Sequence, residues 1–145
     1  MQFNKQEISD AVSRIFLKSA EPADVVEPLL DRVQHVLGSL PADVQADLIE
    51  DAHFRISIDD CQPGKGRRVL MPTLNPNGHS SRCVVLKPRL AKCDQSFAYY
   101  IIAHEFAHAF LHNGGWGEIT DREEAADALA ASWGFERPKK LNWFW

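Results

Sequence analysis

The stretch FAYYIIAHEFAHAFLH, residues 97–112, constrains this chain most: it is apolar almost throughout, yet it carries His104, Glu105 and His108 at its centre. Such a run predicts one helix from Gln95 to about His112, buried nearly all round. Three polar side chains in that setting are costly unless something satisfies them. Helical residues four apart differ by only about 40° in direction. His104 and His108 therefore project from one face, a turn apart, and two imidazoles so placed can reach one metal ion at about 2.0–2.1 Å. Glu105 points elsewhere, but its longer side chain can reach a water on that ion and take its proton as general base. The pattern is HExxH. A metal with its water would satisfy all three side chains; the competing reading is two core histidines bonded to backbone carbonyls.

A catalytic zinc usually takes three protein ligands and keeps a fourth position open. His112 continues the same face, but it lies two turns from His104. The extended HExxHxxGxxH spacing would put a histidine at Gly114. His112 is therefore expected to bond near the helix C-terminus. The better source is REEAADALA, residues 122–130. Its alanines let the backbone approach a neighbouring helix closely. Glu123 and Asp127 are four apart and share a face, so one carboxylate could bind the metal while the other fixes a histidine ring through its free N–H. Glu124 reads as a solvated residue at a helix start, favoured there by the helix dipole.

The rest of the chain reads as helices followed by a small sheet. Residues 5–18 place Ile8, Val12, Ile15 and Phe16 on one helical face. Pro22 can open a second helix, interrupted or kinked by Pro28 and stopped at Gly38; Pro41 opens a third over Ala42–Glu50. Three strands are expected, at His53–Ile58, Arg68–Met71 and Cys83–Leu86, with QPGKG as a turn and TLNPNGHSS as loop. Gly114 or Gly115 would cap the apolar helix, Thr120 or Asp121 would start the last one, and Gly134 would end it. The order of elements is α+β: N-terminal helices, a small mixed sheet of about three strands, then two helices. At 145 residues the chain fits one domain, 1–145.

Composition narrows the functional classes. No run approaches the roughly 18 apolar residues of a membrane span, so no membrane partner is expected. The N-terminus, MQFNKQEISD, lacks the layout of a signal peptide. Cys61, Cys83 and Cys93 cannot all pair within the chain and none sits in a CxxC, so a reduced, cytoplasmic setting is expected. They read as core thiols. Gly64-Lys65-Gly66 lacks the surrounding phosphate-loop pattern. The net charge of −4 argues against nucleic acid as a partner. Its layout says more: residues 1–51 carry −6, residues 52–94 carry +5 and residues 95–145 carry −3. Either the ends pack around the middle and partly neutralise it, or the middle forms a positive wall beside a cleft.

HEFAH followed by EEAADALA resembles the gluzincin metallopeptidases, and the run from Cys83 to Trp133 is similar to ImmA/IrrE-type peptidases and to minigluzincins. The resemblance implies a zincin-like fold and a zinc-dependent peptidase with one Zn²⁺ per chain. It implies His104, His108 and Glu123 as ligands, Glu105 as general base and Asp127 as the group that orients His104. The strand Cys83–Leu86 would rim the cleft and hold an extended peptide or protein substrate by β-augmentation. Residues 1–80 carry no such resemblance.

The donor that steadies the oxyanion is not fixed by the sequence: His53, His79, Arg82, Tyr99 and Tyr100 are candidates by type only. Two other functions stay open. One is a latent or non-catalytic interaction module, prompted by the aromatic tail Trp143-Phe144-Trp145, which could dock on a protein partner or fill its own cleft. The other is a zinc hydrolase of a non-peptide substrate. The presence of Glu105 favours a hydrolase, since a binding module needs no base.

Overall fold

A computed structural model describes residues 3–58 and 82–138. Asn4 opens α1 (Lys5–Ile15) with a reciprocal cap: its side chain accepts the Glu7 N–H at 2.8 Å, and the Glu7 carboxylate accepts the Asn4 N–H at 2.9 Å. The helix stops at Ile15, short of the expected Lys18, because Phe16 turns extended and bridges Ile56. The Leu17 N–H then donates to the Ile56 carbonyl at 2.8 Å. Helix α2 (Ala23–Gly38) runs through Pro28 without ending. The ring removes one N–H close to the exposed start of the helix, where the carbonyl it would have served, on Asp24, lies at the surface. Helix α3 (Ala42–Ile49) follows Pro41.

Strands β1 (Arg55–Ile58) and β2 (Cys83–Leu86) pair in parallel, with Arg55 opposite Cys83 and Ile58 opposite Leu86. Their period-two pattern sends Ile56, Ile58, Val84 and Leu86 into the core. Among the described residues the sheet has two strands, paired in parallel. A parallel pair needs a crossover of a dozen residues or more, which residues 59–82 are long enough to supply. The expected strand Arg68–Met71 falls outside the described residues, as do Cys61, the QPGKG turn, Gly64-Lys65-Gly66 and TLNPNGHSS. β1 starts two residues later than expected because Asp51 ties up the preceding backbone. Its side chain accepts the His53 N–H at 2.8 Å and its carbonyl accepts the Phe54 N–H at 3.3 Å.

A 3-10 turn (Pro88–Ala91) that the sequence reading missed links β2 to the apolar helix. Arg32 of α2 fixes it by donating to the carbonyls of Leu90 at 2.7 Å and Cys93 at 2.9 Å. Asp94 caps α4 (Gln95–Phe110), accepting the Phe97 N–H at 3.2 Å. This helix is buried on nearly every side, as its composition requires, and contacts α2, α3, β2 and α5. Phe106 packs edge-on against Phe54 with ring centres 6.0 Å apart. The helix stop was expected at Gly114 or Gly115 and lies earlier. His112 and Asn113 take the left-handed conformation, at φ 52° and 60°. Gly115 serves the next turn instead, where a Cβ would stand 2.3 Å from the Ile119 carbonyl oxygen. Helix α5 (Arg122–Ser132) starts at the Asp121 cap, and Gly134, at φ 100°, follows its end.

The architecture is α+β: among the described residues, five α-helices and a two-stranded parallel sheet. The uneven charge resolves within the chain at two places. Arg82 of the basic middle pairs with Asp47 and Asp51, both at 2.7 Å, and Lys92 pairs with Asp24 at 3.3 Å. Among the described residues, no helix is long and apolar enough to cross a membrane.

Candidate metal centre

Helices α4 and α5 lie side by side because Ala107, Ala126 and Leu129 pack between them, and Ala125, Ala126 and Ala130 are fully buried. Small side chains keep the two backbones close. Asp121 fixes where α5 begins, accepting the N–H groups of Glu123 at 2.8 Å and Glu124 at 3.0 Å. Glu123 and Asp127 then face the histidines of α4, while Glu124 is exposed. The four expected residues meet: the Glu123 carboxylate lies 3.0 Å from His104 Nε2 and 3.2 Å from His108 Nε2, and Asp127 Oδ1 lies 2.7 Å from His104 Nδ1.

Proton placement follows from the partners. An ionised carboxylate only accepts, so His104 donates from Nδ1 to Asp127, and the neutral imidazole then carries its lone pair at Nε2. That lone pair faces His108 Nε2 at 3.1 Å and Glu123 Oε1 at 3.0 Å. Glu123 Oε1 lies 3.3 Å from His108 Nε2. Ligand atoms about 2.0–2.1 Å from a tetrahedral ion stand about 3.3–3.4 Å apart. The three atoms therefore occupy nearly the corners a metal ion would require. His104, His108 and Glu123 form a group that could hold such an ion, and donor chemistry and spacing both fit. His108 Nδ1 is buried without a hydrogen-bond partner among the described residues.

Electrostatics leave these groups ready to bind a cation at neutral pH. Burial holds the His108 imidazole below its ordinary pKa, and the charge of His104 adds to the effect. Burial alone would raise Glu123, but hydrogen bonds from His104 and His108 and their charges outweigh it and hold the carboxyl below its usual range. Glu105 goes the other way. Burial pushes its carboxyl up to about 7; Glu123 adds to the rise and His104 opposes it. That value describes the metal-free protein, since a nearby dication would draw it down.

The remaining candidates separate cleanly. Arg82 is buried and committed, with bonds to Asp47, Asp51 and the Ala109 carbonyl. Tyr99 stacks on His35 at 4.3 Å and accepts from Gln95. His53 is exposed in the turn before β1, and His79 lies outside the described residues. His112 is exposed beyond the helix end and stands apart from the ligand group. Cys83 and Cys93 are half-buried free thiols, both pushed up by burial and neither near the group. The tail Trp143-Phe144-Trp145 lies outside the described residues.

Tyr100 differs from these. Its hydroxyl donates to Asp127 Oδ1 at 2.5 Å, the same oxygen that receives the His104 proton. Sequence reasoning placed it among oxyanion donors and missed this contact. The available signal was spacing: Tyr100, His104 and His108 stand at successive four-residue intervals on one face. Compared with known protein families, curated proteins and solved structures, the chain matches none.

Proposed function

We propose that this chain is a zinc-dependent metallopeptidase with a zincin-like active site. One observation carries the reading: two imidazole nitrogens and a carboxylate oxygen, drawn from adjacent helices, converge to within 3.0–3.3 Å of one another, the spacing of ligands on one ion. His104, His108 and Glu123 would hold one zinc ion, and Asp127 would keep His104 in the ligating tautomer. Bound there, zinc supplies Lewis acidity to the scissile carbonyl and makes the attacking water acidic.

Glu105 does the proton work. Its carboxylate takes a proton from the attacking water as the new C–O bond forms, then delivers it to the amine nitrogen as the C–N bond breaks. An extended peptide has a natural seat on β2. That strand pairs with β1 on one side, no other strand pairs with it among the described residues, and α4 packs beside it.

The test is metal content together with turnover. Purified protein should carry close to one zinc per chain, and His108→Ala should lose it. Glu105→Gln should keep the zinc and lose peptide hydrolysis. A wild type that takes up no zinc when supplied overturns the proposal. A zinc protein that spares every peptide but cleaves another ester or amide overturns the substrate class alone.

A further inference from the structure

We infer that Tyr100 is a positioning residue for the metal centre, acting on His104 through Asp127; this rests on the metallopeptidase reading. Asp127 Oδ1 accepts two hydrogen bonds at once, from the Tyr100 hydroxyl at 2.5 Å and from His104 Nδ1 at 2.7 Å. Its other oxygen faces Arg137 Nη1 at 3.8 Å. The carboxylate therefore has a donor on each side, and its direction toward His104 is set by more than its own rotamer. Tyr100 is itself held rigidly. It is 6% exposed, sits one turn before His104 on α4, and its ring lies 5.8 Å from the His104 imidazole.

The geometry ties α4 and α5 together at the level of the site. Without the hydroxyl, Asp127 could swing about its side-chain torsions, and the His104 lone pair would lose its aim at the point shared with His108 and Glu123. The same contact removes Tyr100 from the oxyanion donors, because its single proton is already given to Asp127.

Zinc affinity of Tyr100→Phe, measured by chelator competition with the metal alone, reads this directly. Partners that orient a ligating histidine typically change affinity 10–100-fold; Tyr100 acts one contact further out, so a loss of about threefold to tenfold is expected. In an Asp127→Ala background the same substitution should cost nothing further, which a general packing defect would not reproduce. A Tyr100→Phe protein that binds zinc like the wild type, or that loses the same factor without Asp127, overturns the inference. A wild type without zinc overturns the metallopeptidase reading first, and so separates the two failures. Should Tyr100→Phe not fold, proton NMR of the wild type decides. A Tyr100 hydroxyl proton protected from exchange, and lost in Asp127→Ala, supports the role; a freely exchanging one overturns it.

Discussion

Two polar clusters meet helix α4, and they differ in the groups they bring together. Toward its C-terminal end, the Arg82 guanidinium meets the carboxylates of Asp47 and Asp51 and the carbonyls of Asp47 and Ala109, at 2.7–3.0 Å. Donors face acceptors throughout, so nothing is missing. Nearer the middle of the helix, His104, His108 and Glu123 bring two imidazole nitrogens and a carboxylate oxygen to 3.0–3.3 Å of one another. The first arrangement is complete as protein and joins α3, β2 and α4. The second is a group that could hold a cation. The donor sets tell them apart: a guanidinium among oxygens in one, two imidazoles and a carboxylate in the other.

That contrast is tested most severely at Glu105. Replacing it with Gln should cut peptide turnover by about 10²–10⁴-fold while leaving zinc and folding in place. Steady-state kinetics beside metal analysis checks this, and equal turnover removes Glu105 as the base. Next in size, Arg82→Ala should destabilise by about 2–4 kcal/mol. This reaches below the about 3–5 kcal/mol of a fully buried broken pair, because the Asp47 side chain is 39% exposed. Thermal unfolding should show a Tm lower on the order of 10 °C with zinc stoichiometry unchanged. Zinc lost at an unaltered Tm would erase the distinction between the two clusters. Ala126→Leu should cost about 1–3 kcal/mol by overpacking the α4–α5 contact, and it should weaken zinc binding as well. Unaltered affinity there would detach the site from the helix spacing.

The smallest expected effect is in acid. Burial would raise Asp51, but bonds from the His53 N–H and Arg82, with the charges of both residues, outweigh it and hold the carboxyl below its ordinary value. Its folded pKa thus lies under its unfolded one. The stabilisation is complete above the unfolded pKa and is lost as pH falls through the folded value. Asp51→Asn should lower stability at neutral pH and flatten the acid limb of a denaturation series. An unchanged slope between pH 5 and pH 2 would show that Asp51 contributes nothing to the balance.

Much of the site was legible because it is built from local periodicity. Residues 104 and 108, then 123 and 127, are each one turn apart, and the alanines between them announce a close helix pair. Glu123 stands four residues before Asp127, and Glu124 reads as a solvated residue at the helix start, as the structure has it. What escaped depends on contacts distant in sequence. Arg82 reaches Asp47 and Asp51 across more than thirty residues, and no local pattern marks that meeting. The direction of β2 depends on how residues 59–82 cross over, which alternation cannot reveal. The end of α4 was misplaced because His112 and Asn113 accept left-handed backbone that glycine would take more readily. Tyr100 was seen as a hydroxyl of the right type, but its partner sits on another helix.

The Asp121 cap has a kinetic side. His104 and His108 stand in the interior of a long, buried helix, whereas Glu123 belongs to the first turn of α5 and its side chain is 64% exposed. Helix ends open far more often than helix centres. The centre is thus a clasp with one fixed jaw and one hinged jaw, and the Asp121 carboxylate is the pin of the hinge. An ion would enter and leave past Glu123, at a rate set by how often that first turn lets go.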